Sequence, residues 1–220
     1  MTDVNGAVGL VVGATGGLGS LISDQLEQAG ATVLRSGRST ASLAADLRTD
    51  GAADALVEAA VAVHGRLDGL VIAAGVVAFG PATDVSDATL NELFDTNALA
   101  PVRLVRAAAP HLAAAAQSGG DPFVVTFSGI VSETPTAGLA AYSASKAALA
   151  AFMQASSREL RRASIRLIDA RPGHIETALS LHPLQGTAPA FPPGLAPAAV
   201  AARIVKAIVD GEKDLPSGAF

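Results

Sequence analysis

Five short apolar runs recur along the chain, each followed by a segment with helical spacing, and this alternation most restricts what the chain can fold into. The runs are Val8–Val12 and residues 32–36, 67–73, 123–128 and 165–170. Each is built around consecutive apolar residues and is too short for a helix, so each reads as a strand buried on both faces. Residues 17–29, 52–64, 86–116, 141–162 and 197–210 instead place apolar side chains three and four apart, as amphipathic helices do. Gly30 and Gly65 stop the first two, Ser86 caps the start of the third, and Pro101 and Pro110 should bend it. Doubly buried strands joined by helices require right-handed crossovers. The pattern predicts an α/β fold: one doubly wound parallel sheet of the Rossmann kind, helices on both faces, with residues 1–220 as a single domain. Residues 178–197 contain five prolines and no helical period, and read as a loop or lid over that domain.

Composition removes several functions. The chain has no cysteine, which rules out a disulfide, a thiol nucleophile and a Cys-ligated metal. His64, His111, His174 and His182 lack ligand spacing, so no metal is expected. A net charge of −5 argues against a nucleic-acid partner, and Arg158, Arg161, Arg162 and Arg166 read as a solvated helix end. The Ala-rich stretch 98–117 is interrupted by Arg103, Arg106 and His111, so no membrane partner is expected. The first residues lack the basic-then-apolar pattern of a secretory leader, and a cytoplasmic protein is expected.

The first run passes directly into Gly13-Ala-Thr15-Gly16-Gly17-Leu18-Gly19 and then a helix. Glycines at 13, 17 and 19 permit a tight turn and close backbone approach to a phosphate. The helix start offers unpaired N–H groups and positive partial charge to a pyrophosphate. That context points to a dinucleotide. At the end of the second run, Leu34-Arg35-Ser36-Gly37-Arg38 has no carboxylate to hold the ribose hydroxyls of NAD. Arg35 and Arg38 suit a 2′-phosphate, because a guanidinium binds phosphate oxygens in pairs, so NADP(H) is favoured over NAD(H).

The chain has one tyrosine and three lysines, and Tyr142 and Lys146 stand four apart in a helical segment, hence on one face. A nearby ammonium would lower the phenol below its ordinary value of about 10, and such a phenol can exchange a proton during chemistry. The plain alternative is a surface tyrosine packed on a lysine stem.

Together with Asp46-Leu47, Ala73-Ala74-Gly75, Asn97, Ser128 and Arg171-Pro172-Gly173-His174-Ile175-Glu176-Thr177, these motifs resemble the short-chain dehydrogenase/reductase family over nearly the whole length. The resemblance implies that Tyr142 is the general acid/base and that Lys146 tunes it and binds the nicotinamide ribose. It implies that a serine meets the substrate oxygen and that Asn97 helps hold a water leading to Lys146. Asp46 and Leu47 would lie by the adenine, and Pro172, Gly173, Ile175 and Thr177 by the nicotinamide. Family members pair the long helices, so a homodimer or homotetramer is expected. The substrate would be a small carbonyl or alcohol. Leu179, Leu181, Leu184 and Phe191 in the lid hint at an apolar one.

Three departures stand out. Val12 precedes Gly13 where the family usually has threonine, and Ile72 and Ala73 replace two asparagines. The family serine lies thirteen residues before the tyrosine; here that position is Gly129, with Ser128 one residue earlier and Ser132 a further candidate. Ser128 is the expected one. The misplaced serine also keeps open an NADP(H)-binding sensor with little turnover, and an isomerase or dehydratase on the same fold is a third possibility.

Overall fold

The computed structural model describes residues 2–38 and 42–220. The strands are β1 (Val8–Val12), β2 (Thr32–Gly37), β3 (Leu43–Ala44), β4 (Gly69–Ile72), β5 (Phe123–Phe127) and β6 (Arg166–Ala170). They form one parallel sheet in the order β3-β2-β1-β4-β5-β6. The helices are α1 (Gly17–Gln28), α2 (Ala52–His64), α3 (Asp87–Phe94), α4 (Ala100–Gln117), α5 (Ala140–Leu160) and α6 (Pro197–Asp210). The expected strands and helices are all present, with ends displaced by a few residues. The two-residue β3 is an addition, because two residues carry no period to read.

Register follows the apolar pattern rung by rung. Leu34, Leu10, Leu70, Val124 and Leu167 align across the sheet and face α2, α4 and α5. The next rung, Arg35, Val11, Val71, Val125 and Ile168, points the other way, towards α1 and α6. The rung after that is Ser36, Val12, Ile72, Thr126 and Asp169, returning to the α5 side. Side chains alternate between faces along a strand, so this register decides which neighbours Arg35 and Asp169 meet. The chain leaves β1 for β2 on one side and β4 on the other. The crevice beyond the strand ends at that reversal is where ligands of open α/β sheets bind.

The segment expected as one bent helix over 86–116 is divided. α3, with Ser86 Oγ accepting from Thr89 N at 3.2 Å, runs into a π turn, Asp95–Leu99, before α4 begins. Pro101 supplies the reason: it has no N–H to give the Asn97 carbonyl and its ring crowds that carbonyl. The Ala100 N–H instead reaches back five residues to the Asp95 carbonyl. Pro110, by contrast, lies on the exposed side of an uninterrupted α4.

Among the described residues no helix is long and apolar enough to cross a membrane, and no three acidic or histidine side chains gather as a metal site requires.

Candidate active site

The β1–α1 turn forms one wall. Gly13 adopts φ +84°, and a Cβ there would lie 2.5 Å from Ala74 N; a Cβ on Gly19 would lie 2.3 Å from Gly13 O. Gly13 and Ala14 both donate their N–H to the Ser36 carbonyl at 2.9 Å, which ties the turn to the end of β2. No side chain caps α1, so the first-turn amides of Gly17, Leu18 and Gly19 have no partner within the helix. Thr15, Gly16 and Gly17 are exposed. A floor without side chains, free amides and a helix dipole together fit a pyrophosphate. Thr177 lies across the crevice, its Cγ2 3.5 Å from where a Gly17 Cβ would stand. Thr177, at the end of the Pro172–Thr177 stretch, therefore packs against the turn. Pro172 accepts a hydrogen bond from Ile130 N at 2.9 Å, Gly173 has open space at its Cα, and Ile175 pairs with Leu195.

The two arginines separate. Arg35 is turned to the α1 face by strand alternation and pairs with Asp24 at 2.7 Å and Glu27 at 2.8 Å. This corrects its expected role as a phosphate ligand, since its fork is already occupied by two carboxylates. Arg38 is exposed just beyond β2, and among the described residues no carboxylate pairs with it. Asp46 is held down to about 2, chiefly by its hydrogen bonds from Arg48, with the Arg38 charge adding to the effect. Leu47 is buried in the core beneath it.

Asn97 sits at the middle of the π turn and is buried. Its Oδ1 accepts from Val76 N at 3.0 Å, while Nδ2 donates to Val76 O at 2.9 Å and to Ser145 Oγ at 3.1 Å. One side chain thus staples the loop after β4 to α5. Gly75 lies between: a Cβ there would meet Asn97 Oδ1 at 3.3 Å and Lys146 Nζ at 3.5 Å. Ala73 donates to Val12 O at 2.8 Å, and Ala74 abuts Gly13, so the whole Ala73–Gly75 stretch lines the crevice. Val12 and Ile72, at the family's polar positions, are packed in the apolar core.

Tyr142 and Lys146 are one turn apart on α5, as expected, with Nζ 5.9 Å from the phenol ring centre. Lys146 is buried and donates to the Phe127 carbonyl at 2.7 Å. Burial pulls the ammonium down to about 8, opposed by the charge of Asp169. Burial pushes the phenol up to about 12, and the expected lowering by Lys146 does not appear in this arrangement. Around Tyr142 stands a separate apolar cluster, Val77, Phe79, Leu139, Val131, Ala188 and Phe191. Phe191 stacks on His174 with ring centres 4.4 Å apart and leans on Phe79 at 6.0 Å.

Residues 178–197 contribute Ala188 and Phe191 to this cluster. They are tied at both halves: Leu184 N donates to Val77 O at 2.8 Å, Phe79 N to Gln185 O at 2.9 Å, and Leu195 N to His174 O at 2.7 Å.

Ser128 lies differently from its expected role. It is fully buried, and its hydroxyl donates to Asp169 Oδ2 at 2.5 Å. A hydroxyl without solvent exposure and already committed to a carboxylate has no free donor for a substrate oxygen. Ser132 donates to Gly129 O at 2.7 Å and to Ser128 Oγ at 3.1 Å. Asp169 and Ser145 belong to this neighbourhood but were missed in the sequence, and Arg171 was noted only as part of its motif, without a role. The available signal was Asp169 inside a short strand run, because a buried carboxylate needs partners.

A parallel sheet with a glycine-lined crevice at its switch point and a Tyr–Lys pair on the facing helix defines a nucleotide-dependent oxidoreductase architecture. The family model described as "short chain dehydrogenase" matches residues 7–182, and the chain belongs to that family, whose members are oxidoreductases using nicotinamide cofactors. It is similar to an uncharacterized oxidoreductase of Methylorubrum extorquens, 30% identical over 195 residues, covering 80% of this chain and 76% of that protein. It is also similar to dehydrogenase/reductase SDR family member 4 of Homo sapiens, 31% identical over 191 residues, covering 79% and 67%. A solved short-chain dehydrogenase from Streptomyces avermitilis superposes with a TM-score of 0.83 at 26% identity, covering 96% of this chain and 88% of that one.

Proposed function

We propose that this oxidoreductase interconverts a carbonyl and a secondary alcohol with NADP(H), Tyr142 acting as the general acid/base. The observation that carries this is the meeting of Tyr142, Lys146, Asn97 and Gly75 beside the glycine turn. When bound, the nicotinamide would supply or accept the hydride. Gly13, Thr15, Gly16, Gly17, Leu18 and Gly19 would hold the pyrophosphate, and Arg38 the 2′-phosphate, with Ser36, Asp46 and Leu47 bordering the adenosine. Ala73, Ala74 and Gly75 would line the path to the nicotinamide, with Pro172, Gly173, Ile175 and Thr177 on its far side. Absence of a carboxylate at the end of β2 supports NADP(H) over NAD(H).

The chain's own residues account for the proton. A phenol that keeps its proton up to about 12 is an acid at neutral pH, suited to protonating the oxygen of a carbonyl under reduction. Lys146, held by Phe127 O and set near the phenol ring, offsets the negative charge left on the tyrosine. Val77, Phe79, Leu139 and Phe191 exclude water from that transfer and favour an apolar substrate. Exposed Ala148, Ala151 and Ala155 on α5 suit close helix approach and support a homodimer or homotetramer.

The buried Ser128 hydroxyl favours one second reading, an NADP(H)-binding sensor with little turnover. The deciding experiment is NADPH oxidation with a panel of apolar ketones and aldehydes, for wild type and Tyr142→Phe. Turnover that falls roughly 10²–10⁴-fold in the variant, with NADPH binding retained, supports the enzyme. NADPH binding without turnover on any carbonyl supports the sensor.

A further inference from the structure

Asp169 is a buried carboxylate on β6, in a rung that faces α5, and the proton transfer above makes no use of it. Four donors converge on it. Oδ1 accepts from Thr126 Oγ1 at 2.9 Å and from Ser128 N at 3.2 Å; Oδ2 accepts from Ser128 Oγ at 2.5 Å and from Arg171 Nη1 at 3.2 Å. Thr126 and Ser128 flank Phe127, whose carbonyl receives the Lys146 ammonium at 2.7 Å. The carboxylate therefore grips the strand end on both sides of the one carbonyl that holds the lysine. The misplaced serine belongs to this arrangement: its position one residue before Gly129 puts its hydroxyl on the α5 side, within reach of Asp169.

We propose that Asp169 is a positioning residue for Lys146: it fixes the Phe127 carbonyl through Thr126 and Ser128, and it sets a buried negative charge in the ammonium's surroundings. The proposal rests on the Tyr142–Lys146 chemistry for its consequence, though not for its detection. The ionisable groups that bear on the ammonium are Tyr142 on its own helix and Asp169 on β6, and Arg171 pairs with Asp169 at 3.2 Å. Glu133 and Asp214 lie behind Arg171 and pair with it. The contacts from β5 and the π turn, the Phe127 carbonyl and the Asn97 amide near Gly75, are uncharged. Arg171 is thus the cation that competes with Lys146 for the Asp169 field. Charges in a poorly solvated setting interact strongly, so removing either partner of Asp169 shifts the other.

The test uses the whole protein with isotope-labelled lysine. Three lysines give three signals, and Lys146→Arg assigns the one of interest. Asp169→Asn should lower the titration midpoint of Lys146 by about one pH unit or more, and Arg171→Gln should raise it. The alkaline limb of carbonyl reduction should move in the same two directions. An unchanged midpoint in folded Asp169→Asn overturns the proposal. If Asp169→Asn does not fold, Arg171→Gln decides alone: an upward shift supports the role, and no shift or a downward one overturns it. The lysine signal is read without turnover, so a protein that reduces no carbonyl defeats the oxidoreductase reading and leaves this test standing.

Discussion

Replacing Gly13 with alanine should damage the fold in a way that a matched glycine elsewhere does not. Gly13 and Gly65 both adopt left-handed backbone, at φ +84° and +70°. Alanine in that region costs roughly 1–2 kcal/mol at either position. The surroundings differ. A Cβ at Gly65, which ends α2, meets nothing within 4 Å, whereas at Gly13 it meets Ala74 N at 2.5 Å, Ala74 Cα at 2.8 Å and Ala73 C at 2.9 Å. All three are backbone atoms at the end of β4, which cannot swing aside as a side chain would. Overpacking of this kind adds about 1–3 kcal/mol. For a chain of this size each kcal/mol moves the midpoint by about 2–4 °C, so Gly13→Ala should melt about 2–12 °C below Gly65→Ala. Thermal unfolding followed by far-ultraviolet circular dichroism measures the gap, and the shared backbone cost cancels in the comparison. Gly13→Ala should also lose nucleotide binding, while Gly65→Ala keeps it. Equal melting points and equal binding would refute the claim that the turn is pressed against Ala73 and Ala74.

Arg38→Ala should cost roughly 1.5–3 kcal/mol of NADPH affinity and little of NADH. Arg35→Ala should leave that ratio unchanged, because Arg35 is engaged by Asp24 and Glu27; calorimetric titration of both variants checks the pair. Lys146→Met should raise stability at neutral pH by up to roughly 3 kcal/mol. Burial depresses the folded-state lysine to about 8, so the charged form is disfavoured below that pH, and the variant's advantage should fade between about 8 and 10.5. Denaturant unfolding at a series of pH values measures it. Because the phenol is pushed up to about 12, carbonyl reduction should outrun alcohol oxidation at neutral pH, and oxidation should climb with pH; pH–rate profiles in both directions settle the point.

What the sequence made legible was whatever local pattern controls. Consecutive apolar residues and glycine spacing revealed the strands and the β1–α1 turn, and helical spacing the Tyr142–Lys146 pair, because each depends on residues a few positions apart. What stayed hidden depended on pairing across the sheet. Arg35 and Arg38 are alike in sequence, and only the register that sets Arg35 beside Val11 turns it to the α1 carboxylates. The fate of Ser128 is decided by Asp169, which lies 41 residues further along the chain and beside it in space. The phenol's upward shift likewise comes from an apolar cluster assembled from four separate segments around Val77, Val131, Leu139 and Phe191. The division of the third helix was half visible: Pro101 marks a break, but a π turn rather than a kink follows from where Asn97 must point.

That π turn makes chain length itself a functional variable. Five residues, Asp95–Leu99, complete a circuit that an α-helix would complete with fewer, and the surplus lets Asn97 aim at Val76 and Ser145 while Leu93 and Leu104 on either side stay in the core. Deleting one residue here would restore regular helix and leave the leucines on either side in register, but it would turn Asn97 away from Val76 and Ser145. Substitutions can be absorbed at many positions along α3 and α4, but gaps cannot, so a lineage carrying this site should drift in letters while keeping its spacing between Ser86 and Gln117.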